Sequence, residues 1–217
     1  MRSWLYIPDI RNVGNIGASE ADALVVDLHG AAAPGAVGVW IVEAARAAVW
    51  VRLDATEEGR QAVRPVVSPA LTGVCVAAES ANEIAALGAV IAEAEEAARL
   101  PVGRIAVIPR LATAAAVLQA AEIARAPRVA RLQLAEGPLA RQLLVEPGED
   151  ERELLWARSM VVMASAAAGL APPIAAACPP GTECEPSGVV LRRLGFRGRT
   201  CLDEEQVRVA NKVFANA

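Results

Sequence analysis

The sequence predicts an α/β domain of 217 residues in which eight strand–helix units follow one another, the pattern of a (β/α)8 barrel. Three observations carry that expectation. Short β-branched runs recur along the chain and alternate with longer segments of helical spacing. Most of the runs are apolar at successive positions, as parallel strands covered on both faces are. No linker or low-complexity tract divides the chain, and 54% hydrophobic residues supply a core for one domain over 1–217. A doubly wound open sheet produces the same alternation, so periodicity leaves both arrangements open.

In chain order, strands are expected at 4–8, 23–28, 49–53, 73–77, 104–109 and 130–134, with two weaker ones at 173–177 and 199–202. The first is followed by Pro8-Asp9-Ile10-Arg11, not by a Gly-rich phosphate loop, which speaks against a nucleotide-binding Rossmann domain. Helices are clearest at 81–100, 114–126, 151–170 and 203–216. Ser80, Asn82 and Glu83 give the first of these a capped start, and Glu93, Glu95 and Glu96 read as its solvated face. Residues 160–182 are uncharged over a length that could span a bilayer, but Gly169, Pro172 and Pro173 break them into a buried helix followed by a buried strand.

The charge balance excludes some partners. A net charge of −4 and 25 carboxylates scattered among 21 basic residues leave no footprint for nucleic acid. All the basic residues but Lys212 are arginine, which with the abundant alanine reads as a GC-rich coding sequence and gives individual arginines little weight. Residues 192–199 are locally basic and read as a solvated helix end and turn. Residues 1–11 lack the apolar core and cleavage site of a secretory signal, so a cytoplasmic protein without membrane attachment is expected. Cys75, Cys178, Cys184 and Cys201 form no CxxC pair and are expected as thiols, with a small Cys178–Cys184 loop as the less favoured reading.

A series of short motifs runs from residue 2 nearly to the end of the chain. They are Arg2-Ser3-Trp4-Leu5-Tyr6-Ile7-Pro8, Ala23-Leu24-Val25-Val26-Asp27-Leu28-His29-Gly30, Trp50-Val51-Arg52-Leu53, Glu79-Ser80-Ala81, Ala126-Pro127-Arg128-Val129-Ala130 and Leu194-Gly195-Phe196-Arg197-Gly198. In order and spacing this series resembles the citrate lyase beta-subunit-like family (HpcH/HpaI aldolases). The resemblance implies a TIM barrel, a magnesium-dependent carbon–carbon lyase acting on CoA thioesters, and trimers or larger assemblies. It also implies that Arg52 binds a substrate carboxylate.

The departures from the family pattern fall where its chemistry occurs. A run of Asp-Leu-Glu-Asp ends the family's second strand, and here its last two positions are His29 and Gly30. The two magnesium ligands of the family correspond to Ala112 after strand five and Pro138 after strand six, and neither side chain can hold a cation. The family's lysine after strand four is Ala77, and its His-Pro pair near the last strand is Asp203-Glu204. The segment that closes the active site in many members has no counterpart before Ala217, so a minimal barrel is expected. The only lysine, Lys212, stands in the terminal helix, which leaves a Schiff-base aldolase without its nucleophile.

Asp27, His29, Arg52, Asp54, Glu79 and Glu136 stand at expected carboxyl ends of strands, where barrel enzymes place their sites. His29 oriented by Asp27 is the catalytic candidate, as a general base, against the plainer reading of a loop residue. Arg52, Glu79 and Glu136 are the substrate-binding candidates. Arg52 reads equally as a carboxylate anchor and as the structural partner of Asp27, and Glu79 also reads as a helix-start residue favoured by the dipole. A rescued metal site on Asp27, Glu79 and Glu136 is the less favoured alternative to having no cofactor. Two functions remain open. One is a family barrel that has lost magnesium-dependent lyase activity and serves as a binding or oligomeric partner, for an acyl-CoA or a small carboxylate, with 37–48 and Trp40 as an interface between copies. The other is metal-independent lyase or thioesterase chemistry on a CoA thioester.

Overall fold

The computed structural model describes residues 1–12, 19–28, 34–43, 47–148, 150–179 and 181–215. Seven parallel strands form one curled sheet. They are β1 (Ser3–Ile7), β2 (Ala23–Asp27), β3 (Ala48–Leu53), β4 (Leu71–Ala77), β5 (Ala106–Leu111), β6 (Gln133–Leu134) and β7 (Arg199–Cys201), in the order β6-β5-β4-β3-β2-β1-β7.

The complete eight-stranded barrel expected from the sequence is not formed. The eighth strand, expected at 173–177, is reduced to single bridges at Ile174 and Ala175, which lie between β6 and β7. Ile174 N–H donates to Leu132 at 2.9 Å on one side, and Ala175 N–H donates to Gly198 at 2.9 Å on the other. Pro172 and Pro173 offer no N–H, so the ladder cannot begin earlier. Two arginines take up carbonyls that this short seam leaves over. Arg131 donates to Pro172 O at 2.7 Å and Met1 O at 3.0 Å, and Arg199 donates to Ala176 O at 3.0 Å and Cys184 O at 3.1 Å. Burial pushes Arg131 down to about 10 and also lowers Arg199. Arg199 therefore begins the strand expected at 199–202 but is buried, not part of a solvated turn.

Alternation along each strand divides the core in two. Leu5, Leu24, Val51, Val74 and Val107 face outward and pack under the helices, while Trp4, Val25, Trp50, Cys75 and Ile108 fill the inside of the curl. Trp4 and Trp50 meet with ring centroids 5.3 Å apart. Trp50 lies directly over Gly73, its neighbour in β4, where an added Cβ would overlap the indole and the Ala106 carbonyl.

The helices are α1 (Pro34–Glu43), α2 (Glu57–Gln61), α3 (Ala81–Ala97), α4 (Ala114–Leu118), α5 (Ala120–Ile123), α6 (Glu136–Leu143), α7 (Leu155–Ala167), α8 (Cys184–Leu194) and α9 (Glu204–Val213). Thr56, Ser80, Thr113 and Asp203 each cap a helix by accepting the N–H three residues on. The helix expected at 114–126 is two short ones meeting at Gln119. The uncharged run from 160 becomes the second half of α7 and the seam, and no helix among the described residues is long and apolar enough to cross a membrane. Cys178 and Cys184 are joined as a disulfide, against the expectation of thiols, because the turn through Thr182 brings their Cα atoms to 5.7 Å. Cys75 and Cys201 are free and buried.

Glu95 is the clearest correction on a helix. It is not on a solvated face but fully buried, accepting from Ile105 N–H at 2.6 Å, Gly103 N–H at 2.8 Å and the Arg128 guanidinium at 2.8 Å. Burial pushes its carboxyl up, but the Arg128 pair and the two amides outweigh this and hold it below the ordinary glutamate range.

Two outcomes follow from these packing features. Gly73→Ala should destabilise by about 1–3 kcal/mol through overpacking against Trp50, read from the midpoint of denaturant unfolding at constant slope. Because Glu95 binds its proton more weakly folded than unfolded, its contribution is present at neutral pH and is lost as pH falls. Stability of Glu95→Gln, measured from pH 7 to 3, should accordingly fall less than that of the parent.

Candidate functional site

The inward set continues past the Trp4–Trp50 layer to the carboxyl ends of the strands, where it becomes polar. β1 contributes Tyr6, β2 Asp27, β3 Arg52, β4 Cys75, β5 Arg110, β6 Gln133 and β7 Thr200. Register brings them together: Asp27 lies beside Arg52, Arg52 beside Cys75, and Arg110 beside both Ala77 and Gln133. Tyr6, Arg52, Arg110, Gln133 and Thr200 line a cavity of about 280 Å³, completed by the turn at Glu136, Gly137 and Pro138. That is close to the lower end of the roughly 300–1,000 Å³ usual for small-molecule pockets.

On one wall Tyr6, Asp27 and Arg52 form a closed triangle. The Tyr6 hydroxyl donates a short hydrogen bond to Asp27 Oδ2, Arg52 Nη1 lies 3.3 Å from the same oxygen, and Arg52 Nη1 also donates to the Tyr6 oxygen at 3.1 Å. The Arg52 guanidinium stands 5.5 Å from the centre of the Tyr6 ring. Burial, and then the bond to Asp27, push the Tyr6 phenol up to about 12, so it is a neutral donor at physiological pH. Burial likewise pushes the Cys75 thiol up to about 12, which removes it as a thiolate nucleophile. The buried Nε of Arg52 has no hydrogen-bond partner among the described residues. Gln133 Nε2 donates to Thr200 Oγ1 at 2.6 Å across the seam.

The residues expected from the sequence divide. Asp27 and Arg52 meet at the mouth, where Arg52 is free on one side to face the cavity while Asp27 holds the other. Glu136 lines the cavity, but both its oxygens accept from Arg158, at 2.7 and 2.8 Å, and Arg158 is 1% exposed. Arg158 also bonds Glu151 at 2.7 Å, so Glu136 ties the start of α6 to α7. Glu79 is exposed at the start of α3, in a separate groove with Asp54, Arg60 and Ala112. His29 lies outside the described residues.

Asp27, Glu79 and Glu136 are therefore not gathered as a metal site. Among the described residues no group of three His, Cys, Asp or Glu side chains is placed to hold an ion. Magnesium requires oxygen ligands around an octahedron. With Ala112 and Pro138 at the two rim positions and Glu136 occupied by Arg158, the described residues do not fit that ion.

Arg110 was not anticipated. Ending the fifth strand at Pro109 hides it, whereas the strand in fact runs to Leu111, and the alternation from Ala106 through Ile108 then turns Arg110 inward. It borders both the cavity and the Glu79 groove.

A family model described as HpcH/HpaI aldolase/citrate lyase matches residues 2–203. No curated protein sequence matches the chain. Among solved structures, RipC from Yersinia pestis is 18% identical with a TM-score of 0.77 and covers 100% of this chain and 96% of its own. A citrate lyase from Burkholderia xenovorans LB400 is 14% identical, TM-score 0.86, over 100% of this chain and 77% of its own. The citrate lyase beta subunit from M. tuberculosis, solved with oxaloacetate and magnesium, is 20% identical, TM-score 0.69, over 98% of this chain and 96% of its own. At these identities the likeness establishes the fold.

If Glu136 is the structural anchor of Arg158, Glu136→Ala should cost about 1.5–3 kcal/mol by removing two charge-assisted hydrogen bonds from a buried guanidinium that keeps only Glu151. Urea unfolding would show it, and a loss under 1 kcal/mol would return Glu136 to the list of ligand-binding groups.

Proposed function

The chain belongs to the HpcH/HpaI aldolase/citrate lyase family, and from that premise we propose that it is a small-carboxylate-binding barrel that does not perform magnesium-dependent carbon–carbon cleavage. The observation that carries this reading is the chemistry of the mouth, where arginine predominates and carboxylates that could gather a cation do not. Arg52 lines the cavity with part of its guanidinium turned from Asp27. A planar fork of this kind pairs with a carboxylate through two parallel hydrogen bonds. Tyr6, held neutral by burial and by Asp27, keeps the guanidinium in place and presents no competing anion.

Two catalytic requirements are unmet by the described side chains. A lyase that withdraws electrons through a metal needs oxygens to seat it, and rim positions 112 and 138 hold a methyl group and a pyrrolidine ring. A thiolate route is closed by the protonated Cys75. The ligand class is a small carboxylic acid, free or at the acid end of a CoA thioester. We further propose a cytoplasmic homo-oligomer, with exposed Val39 and Val42 of α1 in the contact between copies.

A ligand that binds only the folded state raises its stability by about 2.7 kcal/mol at a hundredfold excess over Kd. In EDTA, small carboxylates should therefore raise the melting temperature of the parent and not of Arg52→Gln. Adding magnesium should leave the shift unchanged and produce no cleavage of a 3-hydroxyacyl-CoA. Divalent-dependent turnover abolished by EDTA would overturn the reading.

A further inference from the structure

The mouth holds a second guanidinium that no carboxylate among the described residues pairs with. Arg110 is only partly exposed, faces the cavity, and makes no hydrogen bond or ion pair among the described residues. On the cavity side the charged groups acting on it are Arg52, which repels it, and Asp27, which is already 3.3 Å from Arg52; on its other side it borders the groove that Asp54, Glu79 and Glu83 line. Tyr6 and Cys75 also face it, and both are neutral because burial holds their protons. Two cations thus line one cavity whose own carboxylate, Glu136, is taken by Arg158, while Asp27 is held by Tyr6 and Arg52. A partly desolvated guanidinium without a partner is costly, and elsewhere in this chain the comparable arginines are answered: Arg128 by Glu95, Arg158 by Glu136 and Glu151, Arg131 and Arg199 by carbonyls.

Spacing says what would answer this one. Arg52 and Arg110 stand on β3 and β5 with β4 between them, so their backbones are two strand spacings apart, roughly 10 Å. Both project toward one cavity of about 280 Å³. A single carboxylate would satisfy one fork and leave the other. A molecule with a carboxylate at each end would satisfy both.

We propose that Arg110 and Arg52 form a two-guanidinium seat for a dicarboxylate, held across the mouth with one carboxylate on each fork and no metal ion between them. Arg110 is then the residue that selects a diacid over a monoacid. This rests on the carboxylate-binding reading given above and adds the ligand's charge and its second anchor.

Isothermal titration in EDTA with succinate, propionate and inorganic phosphate tests it. The parent should bind succinate at least tenfold more tightly than propionate or phosphate. Arg110→Gln should bring succinate to the level of propionate, and Arg110→Lys, which restores the charge without the fork, should recover part of the difference. The melting temperature of ligand-free Arg110→Gln should equal or exceed the parent's, since an unbalanced cation adds no stability. If propionate and succinate bind but their ratio survives in Arg110→Gln, this assignment fails and the carboxylate reading stands. If phosphate binds more tightly than succinate, the seat is for a compact anion and the assignment fails. If Arg110→Gln lowers the ligand-free melting temperature and leaves the ratio intact, Arg110 is structural. If neither acid binds the parent, the carboxylate reading itself is lost.

Discussion

A parallel sheet curled on itself has room inside for only every second side chain of each strand, and this steric rule governs the rest of the molecule. At the amino end the rule is met by bulk, Trp4 against Trp50, with Gly73 supplying the missing volume. One layer further on, the same alternation brings Tyr6, Asp27, Arg52, Arg110 and Gln133 into a common space at the carboxyl ends of their strands. The site is thus the polar continuation of the core, and its members are fixed by strands and not by loops. That favours a rigid, preformed cavity.

Arginine has three distinct duties in this fold. Arg128 neutralises the buried Glu95, and the buried Arg158 is neutralised by Glu136 and Glu151, pairs that fasten helices to their neighbours. Arg131 and Arg199 replace the ladder that a full eighth strand would have provided, donating to carbonyls on either side of the short Ile174–Ala175 seam. Arg52 and Arg110 serve the mouth. Only in this last group is a guanidinium, that of Arg110, left without a hydrogen bond or ion pair among the described residues, which is what sets the mouth apart from the structural arginines.

Much of this was legible in the sequence, for identifiable reasons. Seven strands overlap the runs expected for them, since apolar runs bounded by turns mark buried parallel strands well. The order of motifs gave the family, and the family model matches the same span. The adjacency of Asp27 and Arg52 followed from their being at the ends of neighbouring strands. The seam was overestimated because a strand needs donors that Pro172 and Pro173 lack. Glu95 was misjudged because helical spacing among Glu93, Glu95 and Glu96 says nothing of a partner 33 residues away. Arg110 is hard to see in the sequence because the composition bias toward arginine makes each one look uninformative, and because a proline in the strand suggests an end two residues too soon.

The central claim is that the mouth is an anion seat built from guanidinium groups and not a cation seat built from carboxylates. A crystal structure of the protein grown with both succinate and magnesium chloride tests it most directly. The account expects one carboxylate of the diacid on Arg52, the other on Arg110, and solvent elsewhere in the cavity. A peak with several oxygens at about 2.0–2.1 Å, the coordination distance of magnesium, seated among side chains of the mouth would contradict it.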